Sequence, residues 1–218
     1  MNLNNISLNL YSFGYYAGFV NDLNRTKKML DIEGLALLAN KYQLGGIEFP
    51  FDHFYKIEDI SQGIEKIKEI QSTGLSVFID PEKTNVEYIN QLLPLLSSVN
   101  INVLRIKMDQ IGKTIYGGNR YMSETFGKAV EQFKLQLSML LPSLEKYNVV
   151  LAIENHQDFH SSELVELSKN ISQDYIGITW DIGNSISMVD SPSSFYQKTK
   201  HLIQNVHLKD YKVCKSEA

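Results

Sequence analysis

The feature that most constrains this chain is a repeated alternation. A short apolar run is followed by a longer segment whose apolar residues recur at helical spacing, and the pattern repeats along the whole sequence. Runs of strand length fall at Ile6–Tyr11, Gly46–Phe49, Leu75–Ile79, Val103–Met108, Val149–Glu154, Ile176–Asp181 and Asn205–Lys209. Val149-Val150-Leu151-Ala152-Ile153 is apolar at every position, as suits a parallel strand covered by helices. Between the runs, Ile57, Ile60, Ile64 and Ile67 form one apolar stripe. Phe126, Val130, Phe133, Leu137, Leu140, Leu144 and Tyr147 form another, with Pro142 inside it, where a kink or a split is expected. Met29, Ile32, Leu35, Ala39 and Tyr42 make a weaker stripe, and Leu164, Leu167 and Ile171 a short one. Ser191-Pro192 places a cap residue before a first-turn proline.

The order reads as six βα units and a seventh strand. Two architectures satisfy it, a (β/α) barrel or an open doubly wound sheet. No linker or composition shift divides the 218 residues, so residues 1–218 are expected to form one domain. Only 11 residues follow His207. An eight-stranded barrel usually needs about 250 residues. A barrel built from this sequence is therefore expected to lack its last helix, strand and helix.

Composition narrows the function. Hydrophobic residues make up 43% and charged residues 21%, enough for a sizeable core. With 21 basic and 25 acidic residues, the net charge of −4 gives no general positive field for nucleic acid. The one cysteine, Cys214, excludes an internal disulfide and a cysteine-based zinc site. No apolar stretch is long enough for a membrane span and no basic-then-apolar leader is visible, so the expected location is the cytoplasm.

In a parallel α/β fold, ligands bind at the C-terminal ends of the strands. The polar residues there are Glu48, Asp80, Lys107, Glu154, Asp181 and His207, with Lys209 two further on. Alternation places Arg105 with Lys107 on one face, and Ala152 with Glu154. Two carboxylates and one imidazole on successive strands, spaced 27 and 26 residues apart, make a plausible ligand set for a divalent ion. Hard oxygen donors with one histidine favour Mn²⁺ or Mg²⁺, and leave Co²⁺ or Zn²⁺ open. Gly117-Gly118-Asn119 lacks the context of a phosphate loop. Trp180 could line the mouth, although core packing is the commoner role of such an aromatic.

Four segments carry a family resemblance: Gly45-Gly46-Ile47-Glu48-Phe49, Leu151-Ala152-Ile153-Glu154-Asn155-His156, Trp180-Asp181-Ile182-Gly183-Asn184 and Val206-His207-Leu208-Lys209-Asp210. In order and spacing they resemble the xylose isomerase-like TIM barrels, the superfamily of the sugar phosphate isomerases and epimerases. The resemblance implies a (β/α)8 barrel, C-terminally incomplete here, and a divalent metal held by Glu154, Asp181 and His207. It implies Glu154 as the catalytic proton carrier and Glu48, Lys107, His156, Asn184 and Lys209 as substrate contacts. The family's strand-eight glutamate, a fourth ligand and second acid/base, has no counterpart before Ala218.

The reaction this implies is isomerisation or epimerisation of a small sugar or keto-sugar through an enediolate. A dehydratase acting on an inosose- or dehydroshikimate-like substrate is the first alternative, and a sugar-binding barrel without turnover the second. The expected partner is a small sugar-like molecule, with no nucleic acid and no membrane. The unpaired edges of a seven-stranded barrel point to a homo-oligomer.

Overall fold

The structure is a computed structural model that describes residues 3–17, 30–82, 84–108, 126–156 and 158–209, with only the backbone of Tyr15 and Ile57. Met29, Gly117-Gly118-Asn119, Asp210 and Cys214 lie outside the described residues. The chain divides into two compact units, Met1–Lys83 with Glu87–Leu104, and Thr84–Val86 with Arg105–Ala218.

Among the described residues, seven strands alternate with helices. In chain order they are β1 (Ser7–Asn9), α1 (Gly14–Ala17), α2 (Ile32–Lys41), β2 (Gly46–Phe49), α3 (Phe51–Phe54), α4 (Ile60–Ser72), β3 (Ser76–Ile79), α5 (Val86–Ser98) and β4 (Val103–Ile106). Then come α6 (Phe126–Tyr147), β5 (Val150–Glu154), α7 (Ser161–Ile171), β6 (Ile176–Asp181), α8 (Ile182–Ser187), α9 (Pro192–Thr199) and β7 (Ile203–His207).

In the first unit β1 pairs with β2 and β2 with β3, all parallel, and Ile79 is opposite Leu104 at the start of β4. Gly46 is required there, because a Cβ would stand 2.5 Å from the Ser76 carbonyl oxygen of β3. All four residues of β2 are buried, Glu48 among them. Ile67 of α4 and Leu92 of α5 are fully buried, which is the stripe geometry that covers a parallel sheet. The first strand is shorter than the predicted Ile6–Tyr11. Asn9 Oδ1 accepts the Tyr11 N–H at 2.8 Å and turns the chain into a 3₁₀ helix at Leu10.

In the second unit β5, β6 and β7 form a parallel ladder. Phe133, Leu137, Leu140 and Leu144 are buried along α6, and Leu164 and Leu167 along α7. Helix α6 runs unbroken for 22 residues through Pro142, so the expected split does not occur. Pro142 lies on the exposed side, where water can take the carbonyl bond that it forgoes. Ser191 caps α9 as its sequence suggests, accepting the Ser194 N–H at 3.2 Å with Pro192 in the first turn. Gly177 on β6 marks a close approach of β7, since a Cβ would meet Gln204 Cγ at 2.5 Å.

Strand β7 begins and ends two residues earlier than Asn205–Lys209. The register shifts between Ile178 and Thr179, where Ile203 and then Asn205 are the partners, so Gln204 is the extra residue of a bulge. His207, opposite Asp181 at the end of β6, is the last strand residue, and Lys209 lies beyond the ladder.

Candidate metal centre

Each member of the predicted ligand set ends a strand of the second unit. Glu154 closes β5, Asp181 closes β6 and His207 closes β7. Asp181 is the cross-strand partner of His207, and Glu154 is in register with Thr179, one pleat below Asp181. One donor atom from each of the three residues lies within 4.8 Å of the others. Glu154 and Asp181 are buried, and His207 is half-buried.

The two carboxylates are held in complementary ways. Glu154 Oε2 accepts from Arg105 Nε at 2.9 Å and also from Arg105 Nη2. Its Oε1 lies 4.0 Å from His207 Nδ1. Burial pushes the Glu154 carboxyl up, but Arg105, His156 and His207 outweigh it and hold the group below the usual carboxylate range. Asp181 is the N-cap of α8, with Oδ1 accepting the N–H groups of Gly183 at 3.0 Å and Asn184 at 3.2 Å. Its Oδ2 pairs with Lys209 Nζ at 2.8 Å. Each carboxylate thus has one oxygen fixed by the scaffold and a second turned to a more accessible neighbour.

The backbone of Asp181 is also gripped by a side chain, on both of its polar groups. Asn155 Oδ1 accepts the Asp181 N–H at 2.7 Å, and Asn155 Nδ2 donates to the Asp181 carbonyl at 3.0 Å. Asn155 is fully buried and donates to Ser185 Oγ at 3.3 Å as well. Trp180 packs rather than lining an opening. It stacks on Phe195 and Tyr196, and its indole N–H donates to Ser185 Oγ at 3.0 Å.

Of the residues expected to contact substrate, four gather in this unit. Burial pulls the His156 imidazole below its ordinary value, the cations Lys107, Arg105 and Lys209 add to this, and Glu154 opposes it. His156 thus faces a cluster of positive charge on one side and the Glu154 carboxylate on the other. Asn184 is fully buried, and its Oδ1 accepts from Lys209 Nζ at 3.2 Å. Glu48 belongs to the first unit, buried on β2. Arg105 and Asn155 are the residues whose part in the site sequence reasoning missed. Arg105 carried one signal, a charge inside an apolar strand on the face shared with Lys107.

The donor set fits a hard divalent cation. Two carboxylates and an imidazole supply oxygen-rich, anionic ligation, and the ordered second oxygens and backbone donors orient them.

Comparison with known proteins defines the class. A family model described as xylose isomerase-like TIM barrel matches residues 38–217, and the chain belongs to that family. Its fold is thus a (β/α)8 barrel of which seven strands occur among the described residues. The chain is 19% identical over 184 residues to a 3-oxo-isoapionate decarboxylase of Pectobacterium atrosepticum, covering 84% of this chain and 62% of that protein. It therefore spans a little under two thirds of the length of that curated relative. Among solved structures it resembles a probable 3-DHS dehydratase of Bacillus anthracis, with TM-score 0.67 and 15% identity over 94% of this chain and 72% of the other. It also resembles a 3-keto-D-glucoside 4-epimerase of E. coli, with TM-score 0.65 and 14% identity over 87% and 77% of the two chains. At these identities the structural likeness speaks for the fold alone. No helix among the described residues is long and apolar enough to cross a membrane.

Proposed function

We propose that this chain is a divalent-metal-dependent isomerase or epimerase of a small sugar or keto-sugar, with Glu154 as its base. The observation that carries this reading is the convergence of Glu154, Asp181 and His207 within 4.8 Å at the ends of three consecutive strands. These residues would hold Mn²⁺ or Mg²⁺, with Co²⁺ or Zn²⁺ as other occupants. Such an ion supplies Lewis acidity toward a substrate carbonyl and its neighbouring hydroxyl, acidifying the C–H between them.

The chain's own groups do the rest. Arg105 and the nearby imidazoles keep Glu154 ionised, so its carboxylate is the group that takes the carbon-bound proton. Lys107, Lys209 and His156 donate to substrate oxygens and stabilise the enediolate as it forms. Glu154 then returns the proton to the former carbonyl carbon on the same face, while the hydroxyl proton passes in the same direction, to the former carbonyl oxygen. That balanced single-base route is a 1,2-isomerisation. Epimerisation needs a second proton carrier on the opposite face.

A dehydratase reading uses the same base but expels a β-hydroxyl, and the likeness to a probable dehydratase supports keeping it as the alternative. Proton NMR in D₂O separates the two. The Mn²⁺-loaded protein is incubated with D-fructose, D-psicose, L-ribulose and 3-dehydroshikimate. The proposal expects deuterium to enter a keto-sugar beside its carbonyl without loss of water, and this exchange to vanish in Glu154→Gln. Net dehydration would transfer the assignment to the lyase. Exchange no faster than in Glu154→Gln with every substrate would refute both.

A further inference from the structure

Lys209 stands in an unusual place for a residue expected to touch only substrate. Its Nζ lies 2.8 Å from Asp181 Oδ2 and 3.2 Å from Asn184 Oδ1, so the ammonium is lodged on a member of the ligand triad. Asp181 Oδ1 already accepts two backbone N–H groups, which leaves Oδ2 as the oxygen with free lone pairs for a cation. Lys209 and a divalent ion therefore compete for one atom.

The two carboxylates are unequally available. Arg105 and Glu154 form a buried pair, with side chains 8% and 2% exposed, and the Arg105 contact uses the oxygen turned away from His207. Lys209 is 43% exposed and sits past the end of β7, with no ladder holding its backbone. Its long side chain can swing aside at little cost, whereas Arg105 cannot.

We infer that Lys209 is a displaceable internal cation, which guards Asp181 Oδ2 until a divalent ion takes that oxygen and sends the ammonium out to a substrate oxygen. Ion loading and the presentation of an oxyanion donor then become one event. The donor is offered only when the site is charged, and the order of binding is ion first and substrate second. The inference rests on the metal-dependent reading proposed above and adds a role for Lys209 beyond contact with substrate.

The test is titration of Mn²⁺ alone, followed by calorimetry, into the wild-type chain, Lys209→Met and Lys209→Gln. The second variant keeps a polar side chain in case the first does not fold. Removing the competitor is expected to tighten Mn²⁺ binding about 5- to 10-fold in either folded variant. A second readout is acylation of lysines, followed by mass spectrometry. Saturating Mn²⁺ is expected to raise the labelling of Lys209 several-fold and leave that of the exposed Lys200 unchanged. Mn²⁺ affinity equal to or weaker than wild type in both variants overturns the inference while leaving the metal site standing. No Mn²⁺ binding by any of the three proteins overturns the metal-dependent reading and this inference with it.

Discussion

Asn155 holds both backbone polar groups of Asp181: its Oδ1 accepts the Asp181 N–H at 2.7 Å and its Nδ2 donates to the Asp181 carbonyl at 3.0 Å. In effect a side chain continues the β5–β6 ladder past its last backbone bond, from Asn155 N–H to the Thr179 carbonyl at 3.4 Å. The rung falls where Asp181 must leave the strand and cap α8. The carboxylate is thus steered by a neighbouring strand as well as by its own helix.

Asn155→Ala should therefore cost about 2–4 kcal/mol of stability, because two buried backbone groups lose their partners. Asn155→Asp should be nearly as harmful, since a carboxylate can accept the N–H but repels the carbonyl. Urea unfolding of the three proteins checks this. Stabilities within about 0.5 kcal/mol of wild type would mean that water replaces the amide and that Asn155 does not position Asp181.

Arg105 and Glu154 make the second scaffold pair. Arg105→Met leaves a buried carboxylate without its counter-charge and should destabilise the protein by about 3–5 kcal/mol. The paired change Arg105→Met with Glu154→Gln should recover at least half of that loss, because no charge is then stranded. A double-mutant cycle that is additive would deny the coupling.

A pH dependence follows from Asp158, whose carboxyl burial raises to about 7 despite hydrogen bonds from nearby backbone N–H groups. Its folded-state value lies above the unfolded value of 3.8, so the folded chain binds the extra proton between them. Stability from this group is fully present below about pH 4, falls as pH rises toward 7, and is flat above. Asp158→Asn should flatten that fall and raise the melting temperature at pH 8 more than at pH 4. Thermal melts across this range measure it, and identical slopes for the two proteins would contradict it.

The candidate site was readable in sequence to the depth that strand periodicity reaches. Glu154, Asp181 and His207 each close an apolar run, and apolar runs locate strand ends even where their first residues are off by one or two. Lys209 falls past the ladder because β6 leaves the sheet at Asp181, opposite His207, to enter α8, and a hydrophobic pattern does not mark where a neighbouring strand ends. Arg105 was visible as a charge inside a strand, but alternation gives a face and not a partner 49 residues away. Asn155 was hidden for the same reason. Its two bonds are made to backbone groups of β6, which carry no residue-type signal at all. Pro142 shows the opposite limit, a local helix-breaking signal overridden because its place on the outer side of α6 lets solvent absorb the lost bond.

The claim at the centre of this account is that Glu154, Asp181 and His207 share one divalent ion. Anomalous diffraction at the manganese edge, from crystals of the full chain grown with Mn²⁺, measures it directly. The account predicts a single strong peak at about 2.0–2.4 Å from a carboxylate oxygen of Glu154, one of Asp181 and a ring nitrogen of His207. A peak bound elsewhere, or none at this triad with Mn²⁺ at millimolar concentration, would contradict it.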